Sequence, residues 1–189
     1  MMNFEENLQS ALEALAKGGT IAYPTDTIWG LGCDATNESA IKQIYILKQR
    51  EESKSLIIMV SSVEMLKTIV PTFDENILSF LKQQERPTTV IYSNPKGLAK
   101  NVLAVDGTVG IRWVHEPFCQ QLIERFGKPI VSTSANISGE PSPTCFDDID
   151  KTLLDKVDYV VNLHLDKKSG QSSIIVRWQT NEEIEYIRK

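Results

Sequence analysis

Three short polar runs carry residue types that chemistry needs. The first is Tyr23-Pro24-Thr25-Asp26-Thr27, followed by Gly30-Leu31-Gly32. Two hydroxyls and a carboxylate stand where an apolar run stops at proline, and the glycines let backbone turn sharply or approach a ligand closely. The second is Lys48-Gln49-Arg50, which pairs a point charge with a planar fork of donors and could clamp phosphate. The third is Ser132-Thr133-Ser134-Ala135-Asn136-Ile137-Ser138-Gly139, dense in neutral donors suited to an anion or nucleotide. Each run also has a plainer reading. The first can be a turn capped by Asp26. The second can be a pair of helix-end cations, worth about 0.3–1 kcal/mol against the helix dipole. The third can be an ordinary Ser/Thr-rich loop.

Other chemistries find less support. No G-x-x-x-x-G-K-[ST] or G-x-G-x-x-G occurs, so neither a Walker A loop nor the dinucleotide fingerprint is present. The two histidines, His115 and His164, lie far from the third run and outside any G-x-S-x-G elbow, which disfavours a serine-hydrolase triad. Asp147-Asp148-x-Asp150 reads as the acidic first turn of a helix rather than a metal site. Trp29, Trp113 and Trp178 read as core or pocket wall.

The surrounding pattern alternates helix and strand signals from end to end, as in an α/β domain. Phe4, Leu8, Leu12 and Leu15 form a helical stripe that Gly18-Gly19 stops. A strand over residues 20–23 follows and ends at Pro24. Ala40, Ile41, Ile44 and Leu47 form a second stripe, with Thr36 or Asn37 as N-cap, and this helix delivers Lys48 and Arg50 at its end. Residues 56–60 read as a buried strand, and Ser61-Ser62-Val63-Glu64 as a capping box. Helices are expected over 74–83, 117–126 and 147–155. Strands are expected over 88–92, 108–111, 129–133, 159–163, 173–177 and 184–187. Residues 136–146 and 94–107 are expected as loops of the kind that bind ligands. All three polar runs therefore fall at ends of predicted elements, where open α/β sheets place their ligands.

Composition bounds the rest. The chain has 189 residues, 41% of them hydrophobic and 24% charged, with a formal net charge of −5. That fits one soluble domain over residues 1–189 and excludes a strongly basic nucleic-acid coat protein, though not a local basic pocket. Cys33, Cys119 and Cys145 are odd in number and contain no CxxC, which argues against a disulfide framework or a Cys-rich zinc site and for reduced thiols. The acidic N-terminus lacks the apolar stretch of a signal peptide, and no run approaches the roughly 18 apolar residues of a membrane span. A cytoplasmic protein with no membrane contact is expected.

Taken together, the motifs resemble the YrdC-like family of threonylcarbamoyl-AMP synthases. Residues 19–35, from Gly19-Thr20-Ile21-Ala22-Tyr23-Pro24-Thr25-Asp26-Thr27 to Cys33-Asp34-Ala35, resemble that family's opening block. Lys48-Gln49-Arg50 matches its K-x-R, Ser134-Ala135-Asn136 its S-x-N, and Gly170-Gln171-Ser172-Ser173-Ile174-Ile175 its G-x-x-S-T-I segment. Four blocks in order span nearly the whole chain.

The resemblance implies a single domain with an open, twisted, mixed parallel and antiparallel sheet flanked by helices around a positively charged cavity. It implies a nucleotidyltransferase reaction that joins L-threonine, bicarbonate (or CO2) and ATP into threonylcarbamoyl-adenylate, with Mg²⁺ accompanying ATP and no protein metal ligands. Downstream proteins would transfer the product to tRNA. The resemblance makes Lys48, Arg50, Ser134 and Asn136 catalytic. Thr25, Arg112, Thr133 and Ser173 are assigned to threonine; Ser53, Thr108 and Arg188 join the catalytic four on the nucleotide side. The chain departs from the family pattern at Glu51, Ser55, Met59, Arg86, Trp113 and Ser173, where the usual residues are proline, proline, histidine, glycine, proline and threonine. With the sequence ending near Arg188, the extra C-terminal domain of longer members is not expected. Weak binding of tRNA or double-stranded RNA is also compatible with the resemblance, and two alternatives stand beside it: a non-catalytic RNA-binding module associated with the ribosome or tRNA, and a paralogue that adenylates a different carbamate.

Overall fold

The computed structural model describes residues 2–52, 54–166, 168, 170–179 and 183–189. The first stripe forms α1 (Phe4–Ala16), started by a capping box in which Asn3 and Glu6 satisfy each other's backbone N–H. It leads through Gly18, at a left-handed φ of 77°, into β1 (Ile21–Tyr23). After β2 (Gly30–Gly32) comes α2 (Glu38–Lys48), capped by the Asn37 side chain. The remaining elements, in order, are β3 (Ile57–Val60), α3 (Val63–Ile69), α4 (Asn76–Lys82), β4 (Thr88–Tyr92), β5 (Val109–Trp113), α5 (Pro117–Phe126), β6 (Ile130–Ser134), α6 (Lys151–Leu154), β7 (Tyr159–Val160), β8 (Ile174–Trp178) and β9 (Ile184–Arg188).

The strands join in the order β7-β1-β2-β6-β3-β5-β4-β8-β9. The pairs β1/β7, β3/β5 and β4/β8 are parallel and the others antiparallel, which makes the expected mixed sheet. On one face α1 and α5 bring Leu8, Leu15, Phe118, Leu122 and Ile123 onto Tyr23, Met59 and Ile130. On the other, Ile41, Ile44 and Tyr45 of α2 join Leu31, Ile58, Ile111 and Val131. Strand alternation then fixes what lies beyond the margin of α1 and α5. The row Ile130–Met59–Arg112–Thr89–Ile175 crosses five strands in register, and Ser132–Ile57–Gly110 lies beside it. The part of this face that the helices leave uncovered is the floor of the site.

Four local expectations change. Gly30-Leu31-Gly32 is a strand rather than a turn. A Cβ on Gly32 would sit 2.7 Å from the Tyr23 ring and 2.8 Å from the Val131 carbonyl oxygen, so the glycine admits close packing across the sheet. The helix expected over 147–155 shortens to a 3-10 turn at Phe146–Asp148 and the four residues of α6. Asp148 bonds back to Thr144, and Asp150 caps Thr152 N–H, so the acids end one turn and begin another. Helix α3 is capped by Ser62, whose Oγ accepts from Met65 N–H, so no Ser61–Glu64 box forms. Residues 94–107 contain a 3-10 turn at Lys100–Val102. Cys33, Cys119 and Cys145 are free thiols. Among the described residues no helix is long and apolar enough to cross a membrane.

Candidate active site

Helix α2 ends in a left-handed Gln49 (φ 48°, ψ 44°) that lets the chain leave the helix sharply after Lys48. Lys48 is 1% exposed. Its ammonium donates to the Ser134 carbonyl at 2.5 Å and the Asn136 carbonyl at 2.7 Å, and lies 3.5 Å from Ser134 Oγ. Its own carbonyl accepts from Ser138 N–H at 2.7 Å. Burial, with the nearby Arg50 charge second, lowers the Lys48 pKa to about 8. Arg50 is half-buried and is steadied by the Lys54 and Ser55 carbonyls at 3.2 and 3.1 Å.

The loop after β6 supplies the facing groups. Ala135 N–H donates to the Trp29 carbonyl, which ties this loop to the first polar run. Asn136 Nδ2 donates to the Ile137 and Glu140 carbonyls, while its Oδ1 is buried with no partner. The K-x-R and S-x-N motifs, 86 residues apart in sequence, are thus in direct contact.

Arg112 stands on the floor, 4% exposed. Its Nη2 is 3.1 Å from Asp26 Oδ1 and 3.0 Å from Met59 Sδ. Burial raises the Asp26 pKa, and the Arg112 charge pulls it back down. Opposite, Arg188 grips Ser173, donating through Nε and Nη2 to its carbonyl at 3.0 and 2.8 Å and through Nη2 to its Oγ at 3.1 Å. Ser173 Oγ also pairs with Thr89 Oγ1 at 2.9 Å. Burial and the neighbouring charges of Arg112 and Arg86 lower the Arg188 pKa.

These groups surround a cavity of about 330 Å³. Arg50, Arg112 and Arg188 line it together with Thr27, Ser55, Ser132, Thr133, Ser134, Ser142, Ser172 and Ser173, and among the described residues no carboxylate is in its wall. Such a lining suits a polyanion, because it offers charge and many neutral donors with no repelling acid. A larger cavity of about 590 Å³, between α1, α2 and the turn before β7, has a wall of mixed charge with Glu13, Lys17, Lys156 and Asp158 and lacks this character.

The sequence candidates divide accordingly. Arg50, Arg112, Thr133, Ser134, Ser173 and Arg188 line the cavity, and Lys48 and Asn136 back its wall. Thr25 lines an adjoining pocket of about 190 Å³ that shares Thr27 and Ile28 with the cavity. Its hydroxyl is spent within the turn, accepting from Thr27 N–H and donating to the Ile28 carbonyl. Thr108 is not among the lining residues. It precedes β5 at the opposite end from Arg112, and its hydroxyl bonds Asp106 at 2.6 Å. Ser53 lies outside the described residues.

Several lining residues had no separate signal in the sequence. Ser55 and Ser172 stand beside recognised motifs, whereas Ser142 lies in a Pro-containing loop and becomes part of the wall only through folding. Among the described residues no group of three or more His, Cys, Asp or Glu is placed to hold a metal ion.

Comparison with known proteins finds relatives over most of the chain. The Sua5/yciO/yrdC family model, described as telomere recombination, matches residues 13–189. A threonylcarbamoyl-AMP synthase of Vibrio cholerae is 34% identical over 176 residues, covering 92% of this chain and 94% of the relative. A putative threonylcarbamoyl-AMP synthase of Methanocaldococcus jannaschii is 36% identical over 175 residues, covering 90% of this chain and 82% of that protein. The crystal structure of P. abyssi Sua5 complexed with L-threonine superposes with a TM-score of 0.84 at 25% identity, covering all of this chain and 55% of that one. This chain therefore spans little more than half the length of the Sua5 protein whose fold it shares, and it belongs to the Sua5/YciO/YrdC family.

Proposed function

We propose that this protein is an L-threonylcarbamoyladenylate synthase, a nucleotidyltransferase that makes threonylcarbamoyl-AMP and pyrophosphate from L-threonine, bicarbonate or CO2, and ATP. The observation that carries the proposal is the contact of Lys48 with Ser134 and Asn136 beside a cavity lined by three arginines and, among the described residues, by no acid. The names of the relatives support the same reading.

The chemistry suits these residues. The threonine amine and bicarbonate condense to a carbamate with loss of water. A carbamate oxygen then attacks the α-phosphorus of ATP, the bond to the β-phosphate oxygen breaks, and pyrophosphate leaves with its electron pair. Nucleophile and electrophile are both anionic, so catalysis is mainly positioning and charge neutralisation. Arg50 and Arg188 neutralise the nucleotide phosphates, Ser134 Oγ donates to them, and Lys48 holds the loop that carries Ser134 and Asn136. Arg112 takes the threonine carboxylate, with Thr133 and Ser173 beside it. Mg²⁺ would accompany ATP, held chiefly by phosphate oxygens and waters, and would neutralise charge on the leaving pyrophosphate. The product, a mixed anhydride in which a carbamate is joined to phosphate, hydrolyses readily and calls for consumption by downstream tRNA-modifying proteins in the cytoplasm.

The test is incubation with ATP, bicarbonate and L-threonine, reading pyrophosphate and the mass of the adenylate. Threonine-dependent formation of both is expected; neither product, from folded protein, overturns the proposal. A panel of other amino acids in the same assay separates threonine specificity from the activity of a paralogue on another carbamate.

A further inference from the structure

The Arg112 guanidinium is the most deeply buried cation in the cavity lining, and a buried cation needs a counter-charge to hold it in place. Its Nη2 donates to Met59 Sδ at 3.0 Å and lies 3.1 Å from Asp26 Oδ1, an ion pair without hydrogen-bond alignment, and its Nε is buried without a hydrogen-bond partner. The Met59 sulfur is a weak, uncharged acceptor, so the anchor with charge is Asp26. Among the described residues Asp26 is also the one carboxylate in ion-pair contact with Arg86, Arg112 or Arg188. The turn that carries it is fixed by the hydroxyl of Thr25 on both sides, at Thr27 N–H and the Ile28 carbonyl.

We propose that Asp26 is a positioning residue whose carboxylate fixes the orientation of the Arg112 guanidinium and so sets the cavity's affinity for the carboxylate of the amino-acid substrate. The inference deepens the synthase reading and rests on it. A guanidinium is a flat fork, and rotating it by a fraction of a turn carries its donors off a bound carboxylate. Asp26 acts on one substrate only, because the nucleotide phosphates have Arg50 and Arg188 besides.

The experiment compares the wild type with Asp26→Asn and Asp26→Glu. Asparagine keeps the shape and removes the charge; glutamate keeps the charge and displaces it. One readout is KM for L-threonine and for ATP, measured separately. The other is the side-chain nitrogen spectrum of Arg112, which reports hindered rotation about the Nε–Cζ bond and needs no substrate. Asp26→Asn is expected to raise the threonine KM roughly ten- to a hundredfold, with the ATP KM within about twofold and Arg112 rotation freed. Asp26→Glu should restore part of both. Threonine and ATP KM values that rise together, or a wild-type threonine KM with unchanged Arg112 rotation, overturn the inference. A folded wild type that makes no adenylate defeats the synthase reading instead, and the nitrogen spectrum alone then decides whether Asp26 orients Arg112. If Asp26→Asn does not fold, Asp26→Glu carries the test: its threonine KM must rise alone, and an unchanged value refutes the role.

Discussion

The Lys48 ammonium donates to the Asn136 carbonyl at 2.7 Å, joining the last residue of α2 to the loop after β6. A second donor reaches the Ser134 carbonyl, so two of its three N–H groups hold backbone and the third lies toward Ser134 Oγ. A cation that could have been a freely moving phosphate clamp is a structural rivet as well. Replacing it removes a charge and frees the loop that presents Ser134.

Lys48→Met should therefore cut adenylate formation by about a hundredfold or more and speed amide exchange over residues 134–138. Thermodynamics gives a second, independent check. The folded protein releases the Lys48 proton near pH 8, against an ordinary lysine value of 10.5. Between those values the unfolded chain holds the extra proton, so this residue's contribution to stability rises with pH and is most unfavourable below about 8. Denaturant titrations of wild type and Lys48→Met should show the wild type gaining relative stability from pH 8 to 10.5. A constant difference across that window means that burial does not depress this lysine.

Arg50 is half-buried and donates to carbonyls of its own turn, at Lys54 and Ser55. Arg50→Ala should leave the melting temperature within a few degrees while raising the ATP KM about tenfold or more. A variant with normal ATP kinetics removes Arg50 from the nucleotide site.

Arg188 and Thr108 make a contrasting pair. Arg188 holds Ser173 by three hydrogen bonds at the cavity wall, whereas Thr108 bonds Asp106 away from it. Arg188→Ala should weaken nucleotide binding by about tenfold, and Thr108→Ala should change it by less than about twofold. Calorimetric titration with ATP decides both, and an equal loss in the two variants contradicts the placement of Thr108.

Gly32→Ala tests the fold beneath the site. The added Cβ would press on the Tyr23 ring at 2.7 Å and on the Val131 carbonyl at 2.8 Å, and the carbonyl cannot swing aside. A loss of about 1–3 kcal/mol is expected in chemical unfolding. An unchanged midpoint means that β1 and β6 yield at no cost.

How much of this was legible in the sequence follows from what each feature depends on. Helices α1, α2 and α5 were readable because an apolar stripe and a cap are local properties of consecutive residues. The strands carrying Arg112 and Ser134 were readable as short apolar runs, and the four motifs pointed to their family without any coordinates. Glycine at position 32 misled, since its value lies in the approach of Tyr23 from a neighbouring strand, which no local rule contains. The acids at 147–150 misled because they bond their own backbone instead of extending one helix.

Chemical identity was thus set by the chain itself: which residues could bear charge, which could cap, and which blocks recur in one family. The tertiary structure alone decided that Lys48 meets Asn136, that Asp26 faces Arg112 Nη2, that Ser142 joins the wall and that Thr108 does not. The physical reason is strand order. The sheet brings β3, β5 and β6 side by side although long stretches of chain separate β3 from the other two, so who stands beside whom depends on pairing between distant segments and not on spacing along the chain.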